Sequence, residues 1–492
     1  MGITLFLMKR TKEFPRNRYY YLIVLLVTIL LVSSFRFLAI KRLGEAAEDS
    51  KSWEAAYNVK NIYLDFNNQS KNMEVAGLYE QTFRNSYLYI KSLFNVEKEK
   101  IGQELDAYFE EQGLTLSKKN SYTAKLKGQN LIIVLMESID SWLVNEEVMP
   151  TLTKLQKEGL NFTNRYAPTF GGGMTINSEY AVNTGLYAIP NSKAIYNFDA
   201  NYYPYSLANM FLNEGYTAVS VHANTAKFYN RANFHRALGY THHYALTDEK
   251  ELDQSYNYFL DSSLIKNPQV ADIIVREEPF LTFITTYSAH LPYDNENPSC
   301  QELSGLEVEG NKELSCIRNL AHDTDEFLRL LLEKLEEKGE LDNTTLVLFS
   351  DHYMYGYSDL DYMLKEKGVD DTNLVQQVPL VIWSNKLKKK QVNTIMDTAD
   401  ILPTILNLFG IEYTTNYYVG TDVFSKEHEK FVYFDNTTFY DGELYYNDRK
   451  KRTEENQDYI DETLNTIQEK MTTNDQIILG NYFQYLEEKD SE

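Results

Sequence analysis

From about residue 128 onward, short apolar runs alternate with segments of helical periodicity. That alternation favours an α/β fold with a mostly parallel sheet flanked by helices. Four of the runs each lead directly into an acidic residue or a histidine: "LIIVLM", "TAVSV", "FLTFITTYSA" and "TTLVLFS". In an open α/β sheet, ligands bind outside the carboxyl ends of the strands. We therefore expect a ligand site at one edge of this sheet.

The residues that follow these runs are Glu137, His222, His290 and the pair Asp351 and His352. Each has an ordinary explanation by itself, since a strand-end aspartate caps helices and a histidine packs under loops. Four such runs in a chain with only eight histidines favour a common site instead. Carboxylate oxygens and imidazole nitrogens suit Mn²⁺, Zn²⁺ or Mg²⁺. We therefore predict that Glu137, Asp351 and His352 bind a divalent metal.

The stretch "TFGGGMTINSEY", residues 169–180, places three glycines just ahead of Thr175. Glycines let a ligand approach the main chain, and the following residues predict a helix that starts near Thr175. An ordinary glycine-rich loop with a threonine cap is the alternative. A threonine hydroxyl is a poor nucleophile unless its pKa is lowered, and metal coordination lowers it. We predict that Thr175 is both the nucleophile and a metal ligand.

The segment "HANTAKFYNRANFHRALGY", residues 222–240, adds candidates for substrate binding. Arg231 suits a phosphate group, because a guanidinium binds phosphate with two parallel hydrogen bonds. The alternative for Arg231 is a cation on the surface of a helix. Tyr229 is predicted to form a wall of the pocket, and His222 and His290 to hold phosphate oxygens or protonate a leaving group.

Charge and composition limit the classes of partner. Acidic residues outnumber basic ones by 71 to 48, which gives a formal charge of −23. A nucleic-acid-binding protein normally presents a basic face, so we expect no nucleic acid partner. The hydrophobic content of 43% is enough for a sizeable core. An anionic substrate must then be held by a few placed cations or by a metal.

The N-terminal region contains 17 consecutive uncharged residues, "YYYLIVLLVTILLVSSF", between Arg18 and Arg36. As a helix this stretch is about 26 Å long and nearly spans a bilayer core. Basic residues precede it, so the positive-inside rule predicts a cytoplasmic segment 1–18 and a single-pass anchor at 19–40. The large domain is then extracellular. A cleaved signal peptide is the alternative, although no small-residue cleavage site is evident.

The remaining organisation follows from changes in pattern along the chain. We predict a helical stalk at 41–127, the catalytic domain at 128–450 and a charged helical tail at 451–492. Cys300 and Cys316, the two cysteines, are 16 residues apart in a polar segment. They form either a disulfide bond or two unpaired thiols.

Several motifs occur in the same order as in one known family: "NLIIVLMES", "SAHLPY", "RNLAHDTDEFLRLLLEKL", "SDHYMYG", "VPLVIW", "DILPTILNLFGI" and "VGTDVF". Over about residues 128–430 the chain resembles the lipoteichoic acid synthase family, membrane-anchored phosphoglycerol transferases with an extracellular domain of the alkaline phosphatase and sulfatase type. By position, the resemblance assigns metal binding to four residues: Glu137, Thr175, Asp351 and His352. It assigns a glycerol phosphate pocket to four more: His222, Tyr229, Arg231 and His290.

The resemblance implies a two-step transfer of glycerol phosphate from phosphatidylglycerol, through Thr175, to a glycolipid or teichoic acid acceptor. It also implies one divalent metal, with Mn²⁺ expected first and Mg²⁺ or Zn²⁺ as alternatives. Three features depart from the family. Met174 stands where lysine is usual, Tyr229 stands where the polymerases tend to have tryptophan, and one membrane helix is predicted where members usually carry several.

Other classes of protein remain as alternatives. Sulfatase chemistry is excluded, because the chain has no Cys-x-Pro-x-Arg or Ser-x-Pro-x-Arg from which a formylglycine is made. A phosphoethanolamine transferase or another phosphodiesterase would use the same fold and nucleophile. A non-catalytic extracellular binding module is the third alternative. The sequence leaves open the acceptor, the physiological metal and the oligomeric state.

Overall fold

The structure is a computed structural model that describes residues 18–45, 58–65, 75–84, 96–168, 174–188, 201–277, 279–294, 296–435, 438–447 and 456–491. Several predicted features lie wholly or partly outside the described residues: the cytoplasmic segment up to residue 17, the parts of the stalk at 46–57, 66–74 and 85–95, the glycines at 171–173 and the start of the tail at 451–455. The chain divides into two compact units, Met1–Lys91 and Ser92–Glu492.

In its described residues the first unit includes helices α1 (Arg18–Arg42) and α2 (Val59–Asp65), and residues 75–84 are also helical. The predicted anchor at 19–40 falls within α1, which ends on the basic residues Lys41 and Arg42. Among the described residues, no helix combines the length and apolar character that crossing a membrane requires. The single-pass anchor therefore stays a prediction.

The second unit is built on one eight-stranded sheet and a small three-stranded antiparallel sheet. The strands are β1 (Asn130–Met136), β2 (Leu160–Phe162), β3 (Thr217–His222), β4 (His242–Ala245), β5 (Phe280–Thr285), β6 (Thr344–Ser350), β7 (Leu380–Trp383), β8 (Lys390–Val392), β9 (Val432–Asp435), β10 (Thr438–Tyr440) and β11 (Tyr445–Tyr446). The large sheet has the order β4-β3-β5-β1-β6-β7-β2-β8. Only β7 runs antiparallel to its neighbours, so the predicted mostly parallel sheet is confirmed.

The central strands are buried on both faces, which explains why they appear in the sequence as unbroken apolar runs. In β1, the odd-numbered residues from Leu131 to Leu135 join a core on one face of the sheet. The even-numbered residues from Ile132 to Met136 join a second core on the other face. This alternation follows from the two-residue period of a strand.

Helices cover both faces of the sheet. They are α3 (Val96–Gln112), α4 (Pro150–Glu158), α5 (Met174–Thr184), α6 (Leu207–Asn213), α7 (Arg231–Ala237), α8 (Ser262–Lys266), α9 (Pro268–Ile274), α10 (Ser299–Glu302), α11 (Lys312–Glu337), α12 (Leu360–Lys367), α13 (Ile401–Phe409), α14 (Gln457–Gly480) and α15 (Tyr482–Ser491). Helices α5, α6, α7 and α13 contribute to the first core, and α4, α9 and α11 to the second. The result is a three-layer α/β domain with the sheet in the middle.

Helix α3, which lies in the predicted stalk, packs against α14 and α15, which lie in the predicted tail. Asp106 on α3 accepts hydrogen bonds from the Tyr482 hydroxyl at 2.9 Å and from Lys489 Nζ at 2.7 Å. A Cβ atom at Gly102 would lie 2.5 Å from the ring of Tyr485, so glycine permits the close approach of α3 and α15. These segments therefore pack as part of the second unit.

Cys300 on α10 and Cys316 on α11 are joined in a disulfide bond, with their Cα atoms 4.9 Å apart. Of the two alternatives left open by the sequence, the structure has the disulfide. The bond ties the short α10 to the long α11, which belongs to the core on one face of the sheet.

We predict that replacing both Cys300 and Cys316 by serine lowers the free energy of unfolding by about 3 kcal/mol. The physical reason is that a bond closing a loop of this length removes conformational entropy from the unfolded chain. Urea unfolding of the oxidised wild type and the double variant measures the difference. Reductant should destabilise the wild type and leave the variant unchanged, and equal unfolding midpoints of the two proteins would contradict the prediction.

Candidate active site

Four neighbouring strands, β3, β5, β1 and β6, bring the predicted residues to one edge of the sheet. Glu137 directly follows β1, His222 is the last residue of β3, and Asp351 directly follows β6. His290 differs, because β5 ends at Thr285 and the chain leaves the sheet before His290. The prediction of a strand running up to His290 was therefore wrong in its end point.

A buried carboxylate explains why the chain turns away from β5. Asp261 Oδ1 accepts hydrogen bonds from the backbone N–H groups of Tyr287 at 2.7 Å and Ser288 at 3.2 Å. Burial and then the charge of the neighbouring Asp323 raise the pKa of Asp261 to about 7, although its hydrogen bonds act in the opposite direction. These bonds replace strand pairing for the segment and fix the loop that carries His290.

Three of the four predicted metal ligands form a buried cluster. One ligand atom from each of Glu137, Asp351 and His352 lies within 4.8 Å of the other two. His352 Nε2 is 3.1 Å from Asp351 Oδ2 and 3.5 Å from Glu137 Oε1. The Thr175 hydroxyl donates a hydrogen bond to Glu137 Oε2 at 3.1 Å. The structure thus brings the four residues together.

The chemistry of this cluster fits a divalent cation. His352 donates its Nδ1–H to the backbone carbonyl of Tyr353 at 2.9 Å, which directs Nε2 towards the carboxylates. Metal-binding histidines are commonly oriented by such a bond from the second ring nitrogen. Asp351 Oδ2 and His352 Nε2 are buried, and neither makes a hydrogen bond of good geometry within the described part of the chain. Buried polar atoms are normally satisfied, so these two are suited to coordinate a metal.

The electrostatics of the cluster also favour positive charge. Burial raises the pKa of Glu137, and the adjacent Asp351 raises it further. For Asp351, burial acts in the same direction, but His352 and hydrogen bonds bring its pKa below the usual value. Burial lowers the pKa of His352, yet the two carboxylates raise it to about 9. A cation beside two carboxylates this close is therefore favourable.

Neighbouring polar groups hold the cluster in place. Ser138 has a left-handed backbone, with φ of 55°, and its N–H donates to Asp351 Oδ1 at 2.9 Å. Its hydroxyl donates to Glu137 Oε1 at 3.0 Å. Ser178 on α5 donates to the Asp351 carbonyl at 2.5 Å, which ties the Thr175 helix to the end of β6. A strained residue persists only where its surroundings hold it, as these bonds do.

The two predicted pocket histidines have similar environments. Each donates Nδ1–H to a backbone carbonyl, at 2.9 Å for His222 and 2.7 Å for His290. Burial, followed by the charge of Arg231, lowers the pKa of His222 to about 3. His222 is therefore neutral at pH 7 and suits accepting a hydrogen bond rather than protonating a leaving group. The ring of Tyr287 stacks on His290 with centroids 5.0 Å apart and lies 6.1 Å from His222.

Arg231 and Tyr229 lie at the start of α7. The Arg231 side chain is buried, so the alternative of a surface cation was wrong. Tyr229 and Asn230 both have left-handed backbones, with φ of 57° and 51°. Such conformations cost about 1–3 kcal/mol each in a residue with a side chain, so the surroundings must hold this turn. The Tyr229 ring centroid lies 5.6 Å from the guanidinium carbon of Arg231.

Sequence analysis missed three residues that contact the site. Glu179 pairs with Arg231, and its position four residues after Thr175 on a predicted helix was an available signal. Tyr355 lies beside the cluster, with its ring centroid 4.4 Å from that of His352. Tyr287 adjoins His290 in the motif "TTYSAH". Nothing in the sequence singled out Tyr355 and Tyr287, because tyrosines are frequent in this chain and both lie in loops without a periodic pattern.

A mostly parallel sheet whose carboxyl edge carries this cluster and a helix-borne hydroxyl defines an α/β protein with a candidate metal site at the edge of its sheet. The family model described as "Sulfatase" matches residues 129–411. Because that match covers more than half of the chain, the chain belongs to the sulfatase family.

The curated relatives that resemble this chain include lipoteichoic acid synthases. Lipoteichoic acid synthase 2 from Bacillus subtilis is 26% identical over 390 residues, which are 75% of this chain and 59% of the relative. The lipoteichoic acid synthase from Staphylococcus saprophyticus is 28% identical over 337 residues, or 65% of this chain and 51% of the relative. The predicted resemblance to these synthases is confirmed. The chain spans between half and three fifths of the length of these relatives.

Solved structures agree on the fold. The lipoteichoic acid synthase LtaP from Listeria monocytogenes matches with a TM-score of 0.63 and 20% identity, covering 76% of this chain and 98% of that one. An alkaline phosphatase superfamily protein from Vibrio parahaemolyticus matches with a TM-score of 0.55 and 18% identity, covering 74% and 91%. At these identities the likeness concerns the fold.

We predict that Asp351→Asn lowers metal affinity about tenfold or more, because the cluster loses a ligand and a negative charge. Elemental analysis after incubation with Mn²⁺ and desalting measures the retained metal. Asp325→Asn is the matched control: Asp325 is also a buried carboxylate, but it accepts from the backbone of Thr151 and Leu152. A full metal complement in Asp351→Asn would show that the site lies elsewhere.

Proposed function

We propose that this protein transfers glycerol phosphate from phosphatidylglycerol to a glycolipid or polyglycerolphosphate acceptor, through a covalent intermediate on Thr175. The observation that carries the proposal is the Thr175 hydroxyl, 3.1 Å from Glu137 in a buried cluster suited to a divalent cation. The likeness to lipoteichoic acid synthases supports the choice of donor and acceptor.

The protein residues have distinct roles in this proposal. Glu137, Asp351 and His352 hold the metal, for which we propose Mn²⁺, with Mg²⁺ and Zn²⁺ as alternatives. When bound, the cation lowers the pKa of the Thr175 hydroxyl and offsets charge on the phosphoryl oxygens. Glu137 Oε2 accepts the Thr175 hydroxyl proton in a hydrogen bond and so orients the nucleophile.

The reaction has two displacement steps at phosphorus. In the first, Thr175 Oγ1 loses its proton and bonds to phosphorus, and the bond from phosphorus to the diacylglycerol oxygen breaks. The departing diacylglycerol oxygen takes a proton. In the second, a hydroxyl of the acceptor loses its proton and attacks phosphorus, the bond to Thr175 breaks, and Thr175 regains a proton. A covalent intermediate divides one difficult transfer into two easier ones.

The pocket residues bind the glycerol phosphate group. Arg231 contributes N–H groups to a phosphoryl oxygen, and Tyr229 forms a wall beside its guanidinium. The neutral imidazole of His222 accepts a hydrogen bond from a glycerol hydroxyl through Nε2, because its Nδ1–H is already bonded to the backbone. His290, held against Tyr287, completes the pocket on the metal side.

We predict that wild-type protein with Mn²⁺ releases diacylglycerol from fluorescent phosphatidylglycerol and gains the mass of glycerol phosphate on Thr175. Thr175→Ala should lose turnover about a thousandfold or more and gain no mass, because the nucleophile is absent. Chromatography of the lipid and intact mass spectrometry measure the two effects. Thr472→Ala is a matched control, since its hydroxyl lies exposed on α14.

Other outcomes of the same experiment favour the alternatives. Diacylglycerol release by Thr175→Ala would rule out the covalent mechanism. Turnover of phosphatidylethanolamine in place of phosphatidylglycerol would favour phosphoethanolamine transfer. No turnover of either lipid by a metal-loaded wild type would favour a binding module.

We further propose that residues 19–40 anchor the protein in the cell membrane with the catalytic domain outside. The uncharged run and its basic flanks support this location. We predict that the full chain sediments with membranes, whereas a variant with three leucines of this run changed to aspartate does not, because each buried charge is costly. A variant with aspartate at three exposed positions of α14, namely Asn465, Gln468 and Thr472, serves as control. Release of both variants would contradict the proposal.

A further inference from the structure

The carboxylate of Glu179 forms a two-point ion pair with one edge of the Arg231 guanidinium. Glu179 is fully buried on α5, and Arg231 is buried at the start of α7. Arg231 Nε lies 3.0 Å from Oε1 and Nη2 lies 2.9 Å from Oε2. Paired N–H···O bonds of this kind fix the orientation of a guanidinium as well as its position.

Glu179 is itself held from a second direction. His235, one turn further along α7 from Arg231, contacts Glu179 Oε1 through Nε2. Burial would raise the pKa of Glu179, but Arg231 and then His235 lower it strongly, so the carboxylate stays charged. Two residues of one helix thus clamp a single carboxylate of another.

The third guanidinium nitrogen of Arg231, Nη1, takes no part in the ion pair with Glu179. Nη1 is buried and makes no hydrogen bond with any residue that the structure describes. Buried donors without an acceptor are uncommon in folded proteins. Because Nε and Nη2 are committed to Glu179, Nη1 is the part of the guanidinium that an incoming anionic oxygen finds unpaired.

The same helix that carries Glu179 also carries the nucleophile. Thr175 and Glu179 are four residues apart on α5, which places them on one face about 6 Å apart along the axis. Arg231 follows directly on the left-handed turn at Tyr229 and Asn230. The ion pair therefore links the turn that bears the pocket wall to the helix that bears Thr175.

From this geometry we propose that Glu179 is a positioning residue, which fixes Arg231 relative to Thr175 so that Nη1 meets a phosphoryl oxygen of the donor. The inference rests on the proposed function, because the oxygen belongs to the phosphodiester that Thr175 attacks. Glu179 itself does not touch the substrate. It acts through Arg231.

The test is a double-mutant cycle on turnover of phosphatidylglycerol. Glu179→Gln and Arg231→Gln should each lower kcat/KM about tenfold to a hundredfold, with metal content unchanged. The kcat/KM of the double variant should be no lower than that of the less active single variant, because the effects of residues that act as a unit are not additive. Losses that multiply in the double variant would overturn the proposal.

A second variant and a binding measurement distinguish loss of positioning from loss of folding. Glu179→Asp keeps the charge but shortens the side chain, so kcat/KM should fall while the melting temperature stays near that of the wild type. Calorimetry with glycerol phosphate, in the Thr175→Ala background, should show weaker binding when Glu179→Gln is added. Asp325→Asn is the control for loss of a buried carboxylate, and it should change neither kcat/KM nor the binding of glycerol phosphate.

The outcomes separate this inference from the function on which it rests. A wild type that turns over phosphatidylglycerol, with Glu179→Gln and Glu179→Asp equally active, overturns the role of Glu179 alone. A wild type that neither turns over the lipid nor binds glycerol phosphate overturns the proposed function, and the role of Glu179 with it.

Discussion

The site depends on burying two carboxylates, Glu137 and Asp351, within a few ångströms of one imidazole. Such a cluster is unfavourable in a protein interior unless positive charge and hydrogen bonds compensate for the lost hydration. Here the backbone N–H and hydroxyl of Ser138 and the orientation of His352 supply part of that compensation. The remaining need for positive charge is the physical reason why the cluster suits a divalent cation.

Sheet order makes this cluster possible. Strands β1 and β6 are neighbours, and Met136 is paired with Ser350, so the residues that follow them must emerge side by side. The adjacent β5 and β3 extend the same edge towards His290 and His222. Helix α5 then brings Thr175 to the cluster and Glu179 to Arg231. One edge of the sheet therefore supports both the carboxylate cluster and the two pocket histidines.

Membership of the sulfatase family concerns the fold and not sulfate ester chemistry. The chain has no residue pattern from which a formylglycine is made, and it has Thr175 at the start of α5. Met174 stands where lysine is usual in the family that the chain resembles, which removes one source of positive charge next to the hydroxyl. In the proposed mechanism, more of the activation of Thr175 then falls to the metal and Glu137, and binding of the phosphate depends more on Arg231.

The sequence by itself predicted the α/β class and the mostly parallel sheet, because buried strands leave continuous apolar runs. It also predicted Glu137, Asp351 and His352, which come straight after two of these runs, and Thr175, which comes after a run of glycines. Tertiary structure alone decided the end of β5 at Thr285, the disulfide, the neutral state of His222 and the burial of Arg231 against Glu179. Those features depend on groups distant in sequence, such as Asp261 bonding to Tyr287 across 26 residues. Local patterns carry no record of such partners, since burial and charge pairing arise only when the chain is packed.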